Sequence, residues 1–312
     1  MISDVKITKL KKTSLSFAIS IFRTALFVLL AFVIFYPIVT KLSFAFMTAE
    51  DVHDLSVNYV PKHFTFENFK LAWSQMNLLK VYPVTIAYCA GVSLLQMMIC
   101  AMVGYGIARF KFALAKPVMI LVVLSLLIPP DLLLIALYNI FVNFDFWGLI
   151  SALNEGNTLS LIDSFWPSLL LALTGTGYRC GLYILLLRQF FRGMPKELEE
   201  AAYIDGASYL RCYVSVILPS SITMLITVFL FSFVWTWLDR TYTPLLMPET
   251  DIIVNAATSI LDLNYQVGAN DSVTKSLFVN AGIIYVILPL VVLYLFTQRH
   301  FIQSIERSGL VG

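Results

Sequence analysis

The 312-residue chain has little charge, since Asp, Glu, Lys and Arg together make up 13% of it. Globular domains carry roughly 25% charged residues. Hydrophobic residues reach 59% and the mean hydropathy is +0.83, so a soluble fold could not cover its surface with polar side chains. The composition excludes soluble enzymes and disordered proteins and predicts an all-α integral membrane protein that contacts the lipid bilayer. The net charge of +2 is too small to indicate a nucleic-acid partner.

Patterns of catalytic and metal-binding residues are also absent from the sequence. The three histidines are scattered, and the four cysteines form neither a CxxC pair nor a zinc-ligand spacing. No GxxxxGK[ST] phosphate-binding loop occurs, so any ATP hydrolysis would need another polypeptide. We expect no metal, no cofactor and no catalytic residue. A multi-span membrane enzyme is the weakest alternative, because it would need a cluster of carboxylates or histidines.

Long apolar runs predict six membrane-spanning helices, since about 20 residues cross the hydrocarbon core. Three runs are free of charge, and a fourth, after Arg23, is interpreted as a retained helix rather than a cleaved signal peptide. Two more are interrupted, one by Pro129-Pro130-Asp131 and the other by Arg179. The predicted permeation domain, 24–298, has spans at 24–46, 81–108, 117–143, 164–187, 212–238 and 276–298, with tails at 1–23 and 299–312.

Lysine and arginine are distributed unevenly between the two sides of these spans. Fourteen fall on the side of both tails and six on the other side, and basic loops are retained in the cytoplasm. The distribution predicts cytoplasmic N and C termini. The outer loops, roughly 48–80, 144–163 and 239–275, hold 12 of the 19 acidic residues. They are interpreted either as a docking surface for an extracytoplasmic partner or as simple caps of the bundle.

The connection between the fourth and fifth spans, 188–211, has the pattern of two helices outside the bilayer. Pro195 and Glu197 suit a first helical turn, and the residues up to Tyr203 are rich in helix formers. Gly206 then supplies a turn in which φ can be positive. A second helix is predicted to start near Ala207 and to continue into the fifth span, with Pro219 where it reaches the bilayer.

The same connection resembles the EAA loop of ATP-binding-cassette (ABC) importer permeases. Glu200-Ala201-Ala202 is followed by three residues, Gly206, nine residues and Val216-Ile217-Leu218-Pro219, with Val216 where the family has isoleucine. The run ELEEAAYIDGAS is most similar to the carbohydrate branch, the maltose-type second permease subunit. The segments 64–69 and 104–112 also resemble the family, as do Pro129-Pro130 and the terminal 301–303.

The resemblance implies a coupling role for this loop. In the family the EAA helix sits in a groove of a cytoplasmic ATPase, so Glu200 would make the charge contact and Gly206 the turn. Tyr203, Ile204 and Leu210 would fill the apolar part of the groove. The implied coupling residues are Glu199, Glu200, Ala201, Ala202, Tyr203, Asp205, Gly206, Ala207, Leu210, Leu218 and Pro219.

The resemblance also implies a set of partners in a prokaryotic plasma membrane. These are cytoplasmic ATP-binding subunits in two copies, a second, homologous permease, and an extracytoplasmic solute-binding protein. Residues near 252–270 are the candidate loop for reaching into the binding protein.

Asp131 and Arg179 are charges inside predicted spans, where each costs about 2.5–3.5 kcal/mol on insertion scales. They are interpreted as pathway residues that meet a polar solute, as a structural ion pair, or as side chains that reach toward the membrane interface. Trp235 and Trp237 are candidates for stacking on a sugar, and the alternative is an interfacial aromatic belt.

Together these features predict the permease subunit of an ATP-driven, binding-protein-dependent importer for a sugar or oligosaccharide, forming half of the pathway. The alternative in the same superfamily is a permease for a polyol, glycerol phosphate or another polar compound. Two departures from the family pattern leave the solute open. Tyr82-Pro83-Val84 stands where the family has Asn-Ser, and Trp237-Leu238-Asp239 precedes Pro244 with one extra residue.

Overall fold

The computed structural model describes the backbone of residues 2–261 and 272–309 and the side chains of residues 17–260 and 275–299. Helices dominate these ranges, joined by short loops and one isolated antiparallel bridge between Phe144 and Leu159. The α-helices are α1 (Ile2–Ala45), α2 (Ala49–His53), α3 (Glu67–Gln75), α4 (Leu78–Arg109), α5 (Ala115–Leu127), α6 (Leu134–Val142), α7 (Leu149–Leu153), α8 (Trp166–Leu173), α9 (Cys180–Gly193), α10 (Glu197–Ile204), α11 (Tyr209–Cys212), α12 (Leu218–Ser220), α13 (Ile222–Trp237), α14 (Tyr242–Leu246), α15 (Ile253–Leu261) and α16 (Ser272–Gly309). A π-helical stretch covers Tyr213–Ile217, and 3-10 turns cover Pro130–Leu133 and Phe146–Gly148.

Three described helices are long and apolar enough to cross a membrane alone, at Phe17–Ala45, Leu78–Arg109 and Lys275–Arg299. Two bent pairs meet the same criterion together. Ala115–Leu127 and Pro130–Val142 meet at 102°, and Tyr209–Ser220 and Ile222–Trp237 meet at 78°. By length and composition, the described residues therefore contain three candidate spans, or up to five if each bent pair is one span, where the sequence predicts six.

The break predicted at Pro129-Pro130 is present. Helix α5 ends at Leu127, and Pro129 has extended backbone angles before the chain turns into the next helical segment. The reason is that neither proline can donate a helical hydrogen bond, and each disfavours helical geometry in the residue before it.

The predicted fourth span, 164–187, is divided into α8 and α9 by an irregular segment, 174–179. Gly175 and Arg179 both have positive φ there, at +68° and +67°. The chain also passes close to α4, since a Cβ atom on Gly177 would lie 2.6 Å from Nε2 of Gln96. Hydropathy alone predicts one continuous helix for this apolar run. It does not detect the break, because it carries no information on the positive φ angles that glycine readily adopts.

Two compact units make up the chain. The larger unit comprises 75–259 and 286–312, and the smaller comprises 1–74 and 260–285. In the larger unit α4 packs against α8, α9 and α13. Its buried face includes the polar residues Thr85, Ser93 and Gln96, which recur at helical spacing. Ser232 of α13 donates a buried hydrogen bond to Oε1 of Gln96 at 2.6 Å, so this face is specified by polar as well as apolar contacts.

In the smaller unit, the family-like segment 64–69 packs against the end of α1. The ring of Phe46 lies 4.7 Å from that of Phe64 and 4.8 Å from that of Phe69. The buried Asn68 amide donates to the carbonyls of Ala45 and Met47, at 2.9 and 2.8 Å. These contacts satisfy two carbonyls where α1 ends, which explains the choice of asparagine at this position.

A buried carboxylate organises the loop that follows α1. Asp51 accepts a hydrogen bond from the backbone N–H of His63 at 2.8 Å, and its Oδ1 lies 2.8 Å from Nδ1 of the same histidine. Burial opposes ionisation, but the hydrogen bonds from His63 outweigh it and hold the pKa of Asp51 below its ordinary value. The charged form of Asp51 therefore holds together two parts of the loop that are 12 residues apart.

We expect Asp51→Asn to speed hydrogen exchange at the His63 amide several-fold at neutral pH, because a charge-assisted hydrogen bond is replaced by a weaker one. Because the folded pKa is lowered, this stabilisation is present above the ordinary carboxyl pKa of about 3.9 and is lost as the pH falls through the folded value. Glu50→Gln, on the exposed neighbouring residue, is the control. Equal exchange in Asp51→Asn and wild type would contradict the assignment.

Candidate coupling loop and pathway residues

The coupling loop, 188–211, contains the first helix and the glycine turn that the sequence predicts. Helix α10 carries Glu197, Glu199 and Glu200 in its first turn, where carboxylates favour the helix dipole. Gly206 follows with φ of +79°. Its N–H donates to the Tyr203 carbonyl at 3.0 Å, and the N–H of Ala207 donates to the Ala202 carbonyl at 2.9 Å. This is a Schellman end, whose left-handed residue is glycine because other residues are strained there.

The second helix begins near the predicted position but differs from its prediction in direction. Helix α11 begins at Tyr209, two residues after Ala207, and Ser208 caps it by accepting a hydrogen bond from the N–H of Arg211 at 3.3 Å. The chain continues through the π-helical stretch and α12, then turns by 78° into α13. The prediction of a continuous helix into the fifth span is therefore wrong. Pro219 removes a helix donor at the bend, and the Ser221 hydroxyl donates to the Ile217 carbonyl at 2.7 Å.

Helix α10 and the turn after it present an outward surface. Glu200 and Ala201 are exposed, and so are Asp205 and Gly206. The side chain of Ile204 is 86% exposed, and that of Leu210 in α11 is 70% exposed. Large apolar side chains beside a carboxylate, on a helix outside the spans, are typical of a docking surface.

The inward face of the loop packs on the core of the larger unit. Ala202 is buried, and Tyr203, Ala207 and Leu218 pack against it as partly buried residues, whereas Pro219 is exposed. The resemblance implied that Tyr203 fills a groove on a partner, but its ring lies 5.3 Å from that of Tyr209. Burial raises the pKa of Tyr203 above its ordinary value. Tyr203 thus contacts Tyr209 within the loop, and its contact with a partner stays a prediction.

Aromatic side chains join the loop region to the spans. The ring of Tyr105 on α4 lies 4.9 Å from that of Tyr213 and 5.6 Å from that of Phe191 on α9. Glu199, the remaining predicted coupling residue, is partly buried and pairs with Arg109 at the end of α4. The loop is thus packed onto the cytoplasmic ends predicted for two spans, and such packed elements move as a body rather than deform.

Arg179 and Trp235, two of the predicted pathway residues, are in contact. The guanidinium carbon of Arg179 lies 4.4 Å from the ring centroid of Trp235 and 4.9 Å from that of Tyr178. Its Nη2 donates to the Tyr178 hydroxyl at 2.9 Å. Cation–π contacts of this kind attract the guanidinium to the aromatic faces, by about 0.5–1 kcal/mol at exposed sites. The side chain nevertheless remains exposed at the start of α9.

Asp131 is exposed in the turn Pro130–Leu133 and does not pair with Arg179. Among the described side chains, the ion pairs within 4.0 Å do not include these two residues. The interpretation of Asp131 and Arg179 as a structural ion pair is therefore wrong. The neighbouring Tyr242 hydroxyl donates to the Pro130 carbonyl at 3.4 Å, which ties this turn to the segment after α13.

Trp237 has a different environment from Trp235. Its side chain is fully buried, its indole N–H donates to the Val286 carbonyl at 3.0 Å, and its ring stacks on Phe233 at 5.8 Å. The predicted stacking of Trp237 on a sugar is therefore wrong for this conformation, since all of its surface is occupied by the protein.

Two contacts near the site were missed in the sequence, although each had a signal. Gln96 lies on the polar stripe of α4, and helical spacing could have identified that stripe as one face, although not Ser232 of α13 as its partner. Asp239 caps α14, because its carboxylate accepts hydrogen bonds from the N–H groups of Thr241, Tyr242 and Thr243 at 2.9 to 3.1 Å. The sequence sign was an aspartate shortly before the helix, a residue type whose side chain often accepts hydrogen bonds from backbone N–H groups a few residues further on.

Comparison with known proteins decides the family. The family described as the binding-protein-dependent transport system inner membrane component matches residues 97–307, which is more than half of the chain and includes the whole coupling loop. The chain belongs to this family. Membership makes the permease a multi-pass transport subunit of the inner membrane and implies partners of two kinds, an ATPase and a solute-binding protein.

Individual relatives resemble the permease over nearly its full length. It is 29% identical over 289 residues to the maltodextrin transport system permease protein MdxG of Bacillus subtilis, covering 91% of this chain and 93% of that protein. It is 25% identical over 291 residues to the diacetylchitobiose uptake system permease protein NgcG of Streptomyces coelicolor, covering 91% and 86%.

A solved structure has the same fold. It is the crystal structure of a bacterial ABC transporter involved in the import of the acidic polysaccharide alginate. One of its chains matches with a TM-score of 0.65 and 21% identity, covering 90% of the permease and 96% of that chain. The permease therefore has the fold of an ABC importer permease.

Proposed function

We propose that this permease forms half of the translocation pathway of an ATP-driven importer for a sugar or oligosaccharide. The observation that carries the proposal is the coupling loop, which folds as a helix, a glycine turn and a second helix with Glu200, Ile204 and Leu210 exposed. The names of the relatives supply the solute class, since they transport maltodextrin and diacetylchitobiose.

The proposed topology has six spans with both termini in the cytoplasm. The excess of lysine and arginine beside the tails and in 188–211 supports it. In this arrangement α8 and α9 together form the fourth span, broken at 174–179. The break is tolerated where it is buried in protein or lines a polar cavity.

The proposed complex contains two copies of the ATPase, a second, homologous permease and the solute-binding protein. The ATPase meets the exposed surface of α10 and α11 and hydrolyses the ATP. The outer loops receive the binding protein. Of the loop proposed near 252–270, residues 262–270 lie outside the described residues.

Reconstitution tests this function. We expect the permease, purified with its partners into liposomes, to accumulate labelled malto-oligosaccharide only when ATP is enclosed and the binding protein is added. Glycerol 3-phosphate is the competing solute, because a permease of the same superfamily for that compound is the main alternative. Accumulation of glycerol 3-phosphate alone would replace the sugar assignment, and accumulation without ATP would remove the importer assignment.

For the pathway, we propose that Arg179, Trp235 and Asp131 contact the solute. Trp235→Ala is expected to lower uptake about tenfold by raising the KM, because an aromatic face and a cation–π partner are lost together. Trp235→Phe is the matched control, since it keeps an aromatic face and should retain most of the uptake.

Arg179→Met should lower uptake similarly, while Arg179→Lys is its matched control because it keeps the charge. Normal KM values in Trp235→Ala and Arg179→Met would place the solute elsewhere.

A further inference from the structure

A buried ion pair links the coupling helix to the end of a membrane-spanning helix. Nε of Arg109, the last residue of α4, lies 3.0 Å from Oε1 of Glu199 in the first turn of α10. The two side chains are only 7% and 12% exposed. Nη2 of Arg109 also donates to the Met194 carbonyl at 2.7 Å, just after α9. One guanidinium therefore connects the ends of α4 and α9 with the start of α10.

Burying this pair removes both charges from water, so it adds little to stability compared with an apolar contact of the same size. Breaking it by removing one partner is costly, because the other charge is left buried and uncompensated. An ion pair with a small net stabilisation and a large cost of losing one partner determines the relative position of two helices more than it stabilises the fold. The geometry that it fixes is the position of α10 against α4.

The two neighbouring glutamates of the motif have different environments. Successive helical residues point about 100° apart, so Glu199 and Glu200 cannot both face the core or both face a partner. Glu200 is exposed, whereas Glu199 is partly buried and occupied by Arg109. Glu199 therefore has little free surface to offer an ATPase, since its side chain is 12% exposed, although the resemblance placed it among the coupling residues.

We propose that Arg109 and Glu199 are a pair of positioning residues that hold the coupling helix to the end of α4, so that movement of α10 is passed on to that span. This inference rests on the proposed coupling function of the loop. The aromatic cluster of Tyr105, Phe191 and Tyr213 fills the space beneath the helix, and the ion pair sets the orientation of the helix on it. Glu200 remains the residue that faces the ATPase.

The test compares Glu199→Gln, Arg109→Gln and the double variant in the full complex in liposomes. Solute uptake and ATP hydrolysis are both measured, per assembled complex. We expect each single variant to keep the ATPase bound and hydrolysing while the uptake per ATP falls about tenfold, a shift within reach of losing a buried charge partner. The double variant should be no worse than either single variant, because residues that act through one another are not additive.

Lys111→Gln is the control, since it removes an exposed charge two positions from Arg109 and outside α10, and it should leave the uptake per ATP unchanged. Glu199→Asp keeps the charge but shortens the side chain, so it still reports if Glu199→Gln does not assemble. Its uptake per ATP should also fall, because the carboxylate no longer reaches Arg109 without moving the helix.

Three outcomes would overturn the proposal. Glu199→Gln or Glu199→Asp with a normal uptake per ATP would show that the pair does not position the helix. Loss of the ATPase from Glu199→Gln complexes would make Glu199 a docking residue. Additive losses in the double variant would mean that the two residues act separately. Failure of the coupling function itself is distinguishable, because the wild-type permease would then purify without any ATPase.

Discussion

Glu200→Arg is expected to abolish co-purification of the ATPase from native membranes while leaving the permease folded. Glu200 is exposed on α10 beside Ile204, which is 86% exposed, so reversing its charge changes the docking surface and little else. Truncating one partner of a buried interfacial charge pair costs about 2–5 kcal/mol of binding, and reversing its charge adds repulsion. The measurement is a pull-down of tagged permease, with the amount of ATPase per permease as the readout.

Glu249→Arg is the matched control for this experiment. It makes the same charge change at an exposed position in the loop 239–275, which is proposed to lie on the opposite side of the membrane. We expect it to retain the ATPase fully. If Glu200→Arg also retains the ATPase, α10 is not the docking surface. Equal losses in both variants would instead point to net charge rather than position.

Gly104→Leu is expected to prevent stable packing of α4 against α9 and to give the largest loss of folded permease. A Cβ atom on Gly104 would lie 3.1 Å from the backbone nitrogen of Arg188 and 3.1 Å from Cβ of Leu187. The backbone cannot swing aside, so a leucine forces the two helices apart. Overpacking of this kind costs about 1–3 kcal/mol or more, and the proposed measurement is the unfolding temperature of the permease in detergent.

Gly106→Leu is the control on the same helix, two residues away. No atom lies within 4 Å of a Cβ built on Gly106, so a side chain there enters open space. It should leave the unfolding temperature unchanged or slightly higher, because glycine lowers the stability of a helix interior. If both variants unfold at the same temperature, the close approach of α4 and α9 at Gly104 is not a determinant of stability.

The contacts of α10 with α4 and α9 suggest one mechanical route for the proposed coupling. In the proposed arrangement the exposed face of α10 meets the partner, while the inward face packs on α4 and α9 through the aromatic cluster and Arg109. The 78° turn into α13 means that force does not pass along one straight helix. The packed side chains would carry it instead, because close-packed interiors shift as bodies rather than compress.

Much of this protein is determined by the sequence alone. The low charge and long apolar runs predict a helical membrane protein, because the bilayer demands internally satisfied backbones. The first coupling helix and its Gly206 turn follow from local rules, since capping and positive φ are properties of a few neighbouring residues. The break at Pro129-Pro130 is local for the same reason.

The tertiary structure alone decides which charges and aromatic residues have a partner. Arg109 and Glu199 are 90 positions apart in the sequence, and Arg179 stacks on Trp235 rather than pairing with Asp131. Likewise, nothing local distinguishes the buried Trp237 from the more accessible Trp235. The physical reason is that hydropathy and helix propensity report on one segment at a time. Pairing, burial and helix breaks inside an apolar run depend on which segments pack against one another.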